Sequence, residues 1–471
     1  MKKRCNRISL LLIFFMSLVI VAGYSSADTK PSANAAAATT SPNNAASPKV
    51  NALYIEVSKL SGQAAIDFFK SLKGRGLTDQ QILEFFIKIP LSPANAEIAR
   101  LYKDDGFEVY SKTYPVGPTY NHFVWKNGQG TNIVGPYSQW NLRLPFTSYM
   151  SLPKGPIGDP KKTYNIGVAF PGLTASWITN LSDAVRWEAD RHPNVILDIQ
   201  DTQYDNNKTA NIIDTFVAGK KDAILLWPAV EAPTGPPVRR AIEAGIPVVT
   251  VDRIAGYDKT TIQVAGNFPA NGAQAAMYYL SQLDKEGNLN SNLVLLRKPL
   301  GSTADAIRTG FFLKILSYVP GIKVVGNYHD TSDRATAFKN AQAAIQANPV
   351  IDAVFVNGDY QNIVMLEALK LANRLDSRAG GRRVILLTVD DSKEALNNVK
   401  EGLFACDTPY TPMISDLALR ALLMKLAGQN LPQNIMTPDI PMVTKDGAPV
   451  FGMKTQTVDE WYKYSFGPPV K

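Results

Sequence analysis

The sequence predicts an α/β protein with two doubly wound parallel-sheet lobes, joined by a three-strand hinge and preceded by an N-terminal accessory region. Short apolar, β-branched runs start about every 30 residues from Tyr164 onwards, and segments with helical spacing separate them. Most of these runs are continuous rather than alternating, which is typical of parallel strands that are buried on both faces. Alternating strands and helices of this kind favour parallel sheets with right-handed crossovers.

The predicted strands and helices fall into two groups. The strands are Tyr164–Phe170, Val195–Gln200, Ala223–Trp227, Ile246–Asp252, Asn292–Arg297, Lys323–Tyr328, Ala353–Asn357 and Val384–Asp390. Helical segments are expected at 178–191, 209–220, 270–283, 303–319, 334–347, 361–373 and 392–401. Eight strand-helix units are too many for one hydrophobic core, and the break between Ala255 and Ser291 divides them into two groups of four. Two lobes are therefore expected.

The N-terminal residues predict export. The basic residues of Met1–Arg7 precede an apolar run, Ile8–Gly23, and the small residues Ser25-Ser26-Ala27 follow it. This order is typical of a secretory signal that is cleaved near Ala27, which would place the protein in the periplasm. An uncleaved membrane anchor is the alternative. Residues 28–49 lack bulky apolar side chains and are expected to form a disordered linker.

Charge and cysteine content exclude several classes of protein. Four of the 49 basic residues precede the apolar run, so the rest of the chain has 45 basic against 41 acidic residues, a net charge of +4. This weak charge offers no footprint for nucleic acid. Only Cys406 follows the signal, so no internal disulfide is expected.

The domain boundaries follow from these patterns. The predicted segments are 1–27 for the signal peptide, 28–49 for the linker, 50–160 for the accessory region, 161–265 plus 410–438 for the first lobe, 266–409 plus 439–455 for the second lobe, and 456–471 for a C-terminal tail. Within the accessory region, helical spacing occurs at 62–73, 79–88 and 95–103, and Asn127-Gly128 offers a hairpin turn. The hinge is expected near Gly266-Asn267, Tyr410 and Pro438–Val443.

The residues just after each strand are the candidates for function, because ligands of doubly wound sheets lie beyond the carboxyl ends of the strands. Trp177 follows the first strand, where its ring could cover the apolar face of a sugar or pack under its own helix. Asp252-Arg253 follows the fourth strand, and this pair suits neighbouring hydroxyls or a loop salt bridge. Two facing lobes would place these side chains in one cleft.

The last two predicted strands also end in polar residues. Asn357-Gly358-Asp359 follows the seventh strand and is equally typical of an ordinary turn. After the eighth strand, Asp391 has capping-box spacing for the next helix, which leaves Asp390 to face the cleft. Neighbouring strand residues point to opposite faces, so acid–base catalysis by this pair is not expected.

Residues 165–443 resemble the type I periplasmic sugar-binding proteins, the ribose-binding-protein-like family of ABC-transporter solute-binding proteins. IPVVTVDR (246–253) is similar to the family's strand that ends in a ligand-binding Asp-Arg pair, and VILLTVDD (384–391) to the strand that ends in a ligand-binding Asp. NIGVAF (165–170) with Trp177 resembles the first strand and the aromatic residue that stacks on the sugar, and AVFVNGD (353–359) resembles the seventh strand.

The resemblance implies that Asp252, Arg253 and Asp390 hold ligand hydroxyls while Trp177 stacks. The chain also departs from the family. Asp305 falls where the family has an Arg, with Arg308 one turn away, and a Gln expected near Tyr410 is absent. The predicted ligand-binding set is Trp177, Asp252, Arg253, Asp305, Asn357, Asp359, Asp390 and Tyr410.

The predicted function is capture of a small polar ligand, a sugar by resemblance, and its delivery to the membrane permease of an ABC importer. Because transport alone does not require residues 50–160, a sensor kinase or chemoreceptor is the alternative partner. No phosphate-binding glycine loop occurs and the three histidines lie far apart, so no cofactor, metal or catalysis is expected. A monomer is expected.

Overall fold

The computed structural model describes residues 48–107, 152, 154–172, 176–412, 414–429, 431, 433–436 and 440–465. The predicted signal peptide, nearly all of the linker, the Asn127-Gly128 turn and the end of the predicted tail lie outside the described residues. Within the described residues, every helix is either too short or too polar to cross a bilayer.

Helices and strands alternate through most of the chain. In chain order the helices are α1 (Pro48–Val57), α2 (Gly62–Ser71), α3 (Asp79–Lys88), α4 (Ala96–Asp104), α5 (Ser176–Ala189), α6 (Asn206–Ala218), α7 (Glu231–Glu243), α8 (Phe268–Lys285), α9 (Thr303–Leu316), α10 (Arg334–Ala347), α11 (Asp359–Leu371), α12 (Lys393–Glu401), α13 (Ile414–Leu426) and α14 (Val458–Ser465). The strands are β1 (Tyr164–Phe170), β2 (Val195–Asp201), β3 (Ala223–Leu226), β4 (Val248–Asp252), β5 (Ile262–Ala265), β6 (Ser291–Arg297), β7 (Ile322–His329), β8 (Ala353–Val356), β9 (Ile385–Val389), β10 (Cys406–Thr408), β11 (Asn434–Met436) and β12 (Val443–Thr444).

The strands form two six-stranded sheets, which confirms the predicted fold class. The first sheet has the order β11-β5-β4-β3-β1-β2, and all of its strands are parallel. The second sheet has the order β12-β10-β9-β8-β6-β7, and only the short β12 runs antiparallel to its neighbour. The central strands β3, β4, β8 and β9 are buried along their whole length, as continuous apolar runs require.

The chain passes between the two sheets three times. It leaves the first sheet after β5, returns after β10, and leaves again between β11 and β12, where residues 437–439 are not among those described. The first two passages touch each other: a Cβ atom on Gly266 would lie 1.9 Å from the Tyr410 hydroxyl oxygen. Any larger residue at position 266 would therefore displace the Tyr410 ring.

The sequence located the eight main strands and seven of the helices between them, but it missed other elements. It did not predict β5, β10, α7 or α13; Pro236 and Pro237 lie inside α7 and disguise that helix. The capping prediction for Asp391 was wrong. Ser392 caps α12 by accepting from the backbone N–H of Ala395, whereas Asp391 is fully buried with a φ of 53°.

The N-terminal helical layer, residues 48–107, packs on the second sheet's helices. It shares one apolar core with α8 and α9, in which the Phe69 ring lies 5.9 Å from both Tyr318 and Phe451. The buried Asn95 amide donates to the carbonyl oxygens of Val319 and Ile322 at 2.9 and 2.8 Å. Three of the four helices were predicted, and α1, which begins at Pro48, was not. This layer is therefore an integral part of the second lobe's core.

Candidate ligand-binding cavity

A cavity of about 730 Å³ lies where the carboxyl ends of the two sheets face each other. Its lining residues follow strands of both sheets or begin the helices after them. They are Trp177, Ile178, Tyr204, Trp227, Asp252, Arg253, Phe268, Lys298, Ala304, Arg308, Ser332, Arg334, Asp359, Tyr360, Asp390, Ser392, Lys393, Glu394 and Tyr410. A monosaccharide-sized ligand fits a cavity of this size, since small-molecule sites span about 300–1,000 Å³.

The first wall of the cavity is built around Asp252 and Arg253 at the end of β4. Asp252 has a φ of 69°, a conformation that is costly for most residues with a Cβ atom and that Asp tolerates better. Its carboxylate accepts a hydrogen bond from the Tyr410 hydroxyl and lies 3.5 Å from Arg253 Nε. Burial raises the pKa of Asp252, and the nearby Arg253 charge opposes that rise.

Apart from the 3.5 Å contact with Asp252, Arg253 is held by neutral groups. Its guanidinium lies 4.1 Å from the centroid of the Trp227 ring and donates to the carbonyl oxygen of Ala229. The side chain is 6% exposed. Because these partners are an aromatic face and a backbone oxygen, the arginine stays fixed without a strong ion pair, and its remaining donors are available to a ligand.

Aromatic rings border the same wall. Trp177 is half-buried and stacks on Tyr410 with centroids 5.9 Å apart and an interplanar angle of 14°. Tyr410 in turn lies 4.9 Å from Phe268, the first residue of α8. Flat apolar faces beside hydrogen-bonding groups suit a ring that carries hydroxyls on its edge and C–H groups on its face.

The second wall is built around Arg308, a fully buried residue of α9. Its Nη2 donates to Asp390 Oδ1 at 2.6 Å, and its Nη1 donates to the carbonyl oxygen of Asn357 at 2.7 Å. The guanidinium also lies 4.9 and 4.8 Å from the ring centroids of Phe268 and Tyr410, which it shares with the first wall. Arg308 is therefore the cation that joins the two halves of the cavity.

Asp390 mirrors Asp252 at the end of β9. Its φ is 87°, and it also accepts from Lys298 Nζ at 3.4 Å. Burial works against its charge, but Arg308 and then Lys298 outweigh it and hold the pKa of Asp390 below its usual value. Burial lowers the pKa of Lys298, and the Asp390 carboxylate opposes that change.

Asp359 adds a second carboxylate to this wall, at the first position of α11. Burial and then the charge of Asp390 raise the pKa of Asp359 to about 6. The neighbouring Tyr360 hydroxyl donates to both oxygens of Asp330 at 3.0 Å. At neutral pH the second wall therefore contains two interacting carboxylates that depend on Arg308 and Lys298 for compensation.

The structure brings six of the eight predicted site residues to the cavity lining: Trp177, Asp252, Arg253, Asp359, Asp390 and Tyr410. The other two lie behind the second wall. The Asp305 carboxylate accepts from Arg297 Nε at 3.0 Å and Nη2 at 2.6 Å, and the Asn357 amide donates to Asp305 and to Thr309. Their side chains support the wall without lining the cavity.

Several lining residues were not in the predicted set. Tyr204, Trp227 and Lys298 come shortly after β2, β3 and β6, so the strand-end rule pointed to their positions. Arg308 was noted only as a neighbour of Asp305. Within the described residues, no group of three or more His, Cys, Asp or Glu side chains has the geometry to hold a metal ion. The cavity presents paired donors and acceptors, a chemistry that suits hydroxyl groups.

The chain is similar to known periplasmic binding proteins. Residues 166–430 match the model of the periplasmic binding protein domain. The ribose import binding protein of Bacillus subtilis is 25% identical over 279 residues, which cover 59% of this chain and 87% of the relative. The xylitol-binding protein of Mycolicibacterium smegmatis is 27% identical over 295 residues, 61% of this chain and 79% of the relative.

The fold is also that of a solved solute-binding protein. An ABC transporter solute-binding protein from Bacillus halodurans, with bound myo-inositol, superimposes with a TM-score of 0.55 at 22% identity. The match covers 64% of this chain and 97% of that protein. The N-terminal helical layer, residues 48–107, lies outside the matched family domain at 166–430.

Proposed function

The chain belongs to the periplasmic binding protein family, and from this premise we propose that it captures a sugar or polyol between its two lobes and delivers it to an ABC importer. One observation carries the proposal: the Asp252-Arg253 pair at the end of β4 and the pair formed by Asp390 after β9 and Arg308 on α9 line the same cavity, with aromatic rings beside them. Relatives named for ribose and xylitol support this ligand class.

The proposed mechanism is closure around the ligand. Asp252 and Arg253 bind hydroxyls from one side, Arg308 and Asp390 bind them from the other, and Trp177 covers an apolar face. A ligand that bonds to both walls stabilises the closed arrangement over the open one, because only the closed arrangement offers all of these bonds. The permease then recognises the closed form.

The lobes in this proposal are residues 161–265 plus 410–438 and residues 266–409 plus 439–455, and the passages near Gly266-Asn267, Tyr410 and 438–443 act as the hinge. The family consists of solute-binding proteins, so we propose that the chain catalyses no reaction. We also propose that it acts as a monomer in the periplasm, after cleavage of the signal peptide near Ala27. A sensor kinase or chemoreceptor in place of the permease is the alternative partner.

Calorimetric titration with D-ribose, xylitol and myo-inositol tests the proposal. We expect saturable binding with one site for at least one of them, and a loss of at least about tenfold in affinity for Asp252→Ala and for Arg253→Ala. Arg240→Ala is the matched control, because Arg240 pairs with Asp214 on the exposed outer face of the same lobe. Unchanged affinity in both cavity variants would contradict the assigned site.

A further inference from the structure

We propose that Asp105, at the end of the N-terminal helical layer, is a positioning residue for the ligand cavity, acting through Arg297, Asp305 and Asn357 on Arg308 and Asp390. The inference rests on the proposed function and adds to it a role for a segment that lies outside the matched family domain. It assigns to residues 48–107 a part in ligand affinity rather than in packing alone.

The first step is the contact between the layer and the second sheet. Asp105 directly follows α4, and its carboxylate accepts a hydrogen bond from Nη1 of Arg297, the last residue of β6. Arg297 is 2% exposed, and its guanidinium also lies 5.1 Å from the ring centroid of Phe107. The layer thus supplies both a charge and an aromatic face to a cation buried behind the second wall.

The buried arginine has two carboxylate partners on opposite arms. Asp305 accepts from Nε and Nη2, while Asp105 accepts from Nη1, which also donates to the Asn327 amide oxygen at 3.4 Å. Burial disfavours the charge of Arg297, but Asp305 and then Asp105 outweigh it and raise its pKa above the usual value. Both partners therefore contribute to keeping this charge buried in one orientation.

The second step leads from Asp305 to the cavity. Asp305 Oδ1 accepts from the Asn357 amide at 3.2 Å, and the Asn357 carbonyl oxygen accepts from Arg308 Nη1 at 2.7 Å. Arg308 Nη2 bonds to Asp390. Each of these three bonds, from Asp305 to Asp390, joins buried groups, where hydrogen bonds are strong and geometry is fixed by the neighbours.

A second contact, between Phe107 of the N-terminal helical layer and helix α9, also positions Arg308. Gly310 on α9 faces Phe107 so closely that a Cβ atom there would lie 3.1 Å from the Phe107 Cβ. Asp305 and Arg308 are on this helix, five and two residues before Gly310. The position of α9, and with it the direction of Arg308, thus depends on residues 105–107.

The experiment compares Asp105→Asn with two matched variants of the full chain. Asp104→Asn removes the same charge from the preceding residue, whose carboxylate is 61% exposed and pairs only at 3.5 Å with Arg100. Asp105→Glu retains the charge. The readouts are the affinity for D-ribose, xylitol and myo-inositol by calorimetry, and amide hydrogen exchange in residues 297–309.

We expect Asp105→Asn to weaken binding about fivefold to tenfold and to speed exchange selectively in 297–309, because it removes the charge of one of the two carboxylates that compensate the buried Arg297. Asp104→Asn leaves both readouts unchanged, and Asp105→Glu restores part of the affinity. The proposal is overturned if Asp105→Asn behaves like Asp104→Asn, or if exchange rises evenly across the second lobe.

The two proposals fail in different ways. If none of the three compounds binds the wild-type chain, the proposed ligand class is wrong, and the exchange of residues 297–309 alone decides on Asp105. If the compounds bind and Asp252→Ala abolishes binding while Asp105→Asn has no effect, the proposed function stands and the role of Asp105 is refuted.

Discussion

The two walls of the cavity hold their charged side chains by different means. In the first wall, Arg253 lies on the Trp227 ring, bonds to a backbone oxygen and lies 3.5 Å from Asp252, so its support is mainly neutral. In the second wall, Arg308 and Lys298 share Asp390, with Asp359 close by, so each charge is held by other charges. A side chain that is held mainly by neutral groups depends less on the charges of its neighbours. In a charged network, the removal of one member leaves another uncompensated.

We expect the largest loss of ligand affinity on substitution of Arg308. Arg308→Met leaves Asp390 buried with only the 3.4 Å contact to Lys298, so we expect affinity for the panel compound that binds most tightly to fall by about a hundredfold, with lower stability as well. Calorimetry and urea unfolding measure the two effects. Arg383→Met is the control, since Arg383 is 41% exposed on the same lobe. Affinity within threefold of wild type would break the distinction between the walls.

The charge of Asp359 should make the stability of the second wall depend on pH. The pKa of this carboxyl is raised from 3.8 to about 6, so between these values the folded chain holds a proton that the unfolded chain has released. Stability therefore falls as pH rises through this window, and the full cost, on the order of 2–3 kcal/mol, is present above pH 6.

We accordingly expect Asp359→Asn to stabilise the unliganded protein at pH 7.5 by roughly that amount and to have little effect at pH 4. Urea unfolding at both pH values measures it. Asp376→Asn, which changes a carboxylate that is 57% exposed, is the control. An equal shift at both pH values would show that the charge of Asp359 costs the fold nothing.

The smallest of these effects is expected in the first wall. Trp177→Ala removes a stacked ring but no charge, so affinity for the same compound should fall about tenfold. Trp177→Phe keeps an aromatic face and should retain most of the binding. If Trp177→Ala binds like wild type, the ring serves only to pack its own helix against Tyr410.

The first wall was easier to predict from sequence than the second. Asp252 and Arg253 lie at the end of β4, and Trp177 lies in the first turn of the helix after β1, so the strand-end rule needs only the position of each residue along the chain. Asp305 and Arg308 are three positions apart on one helix and so about 60° apart around its axis. Sequence spacing does not say which of the two faces the cavity. Arg297 determines which residue lines the cavity. Its bidentate bond holds Asp305 behind the second wall, so Arg308 faces the cavity.

The N-terminal helical layer shows the same limit on a larger scale. Its helices could be predicted from their apolar spacing, as for Ile66, Phe69 and Leu72, which are all fully buried. Their partner could not, because an amphipathic helix indicates that it packs against something without indicating what. Asp391 shows this limit for a single residue. Its spacing favoured a helix cap, but its side chain is buried near Asp407, and Ser392 caps the helix instead.

Binding of one ligand by both walls is tested most directly by a crystal structure of the complex with whichever of D-ribose, xylitol and myo-inositol binds most tightly. We expect a single ligand within hydrogen-bonding distance of Arg253 in the first wall and Arg308 in the second, with Trp177 against its face. A ligand that contacts one wall only, or that lies outside this cavity, would contradict it.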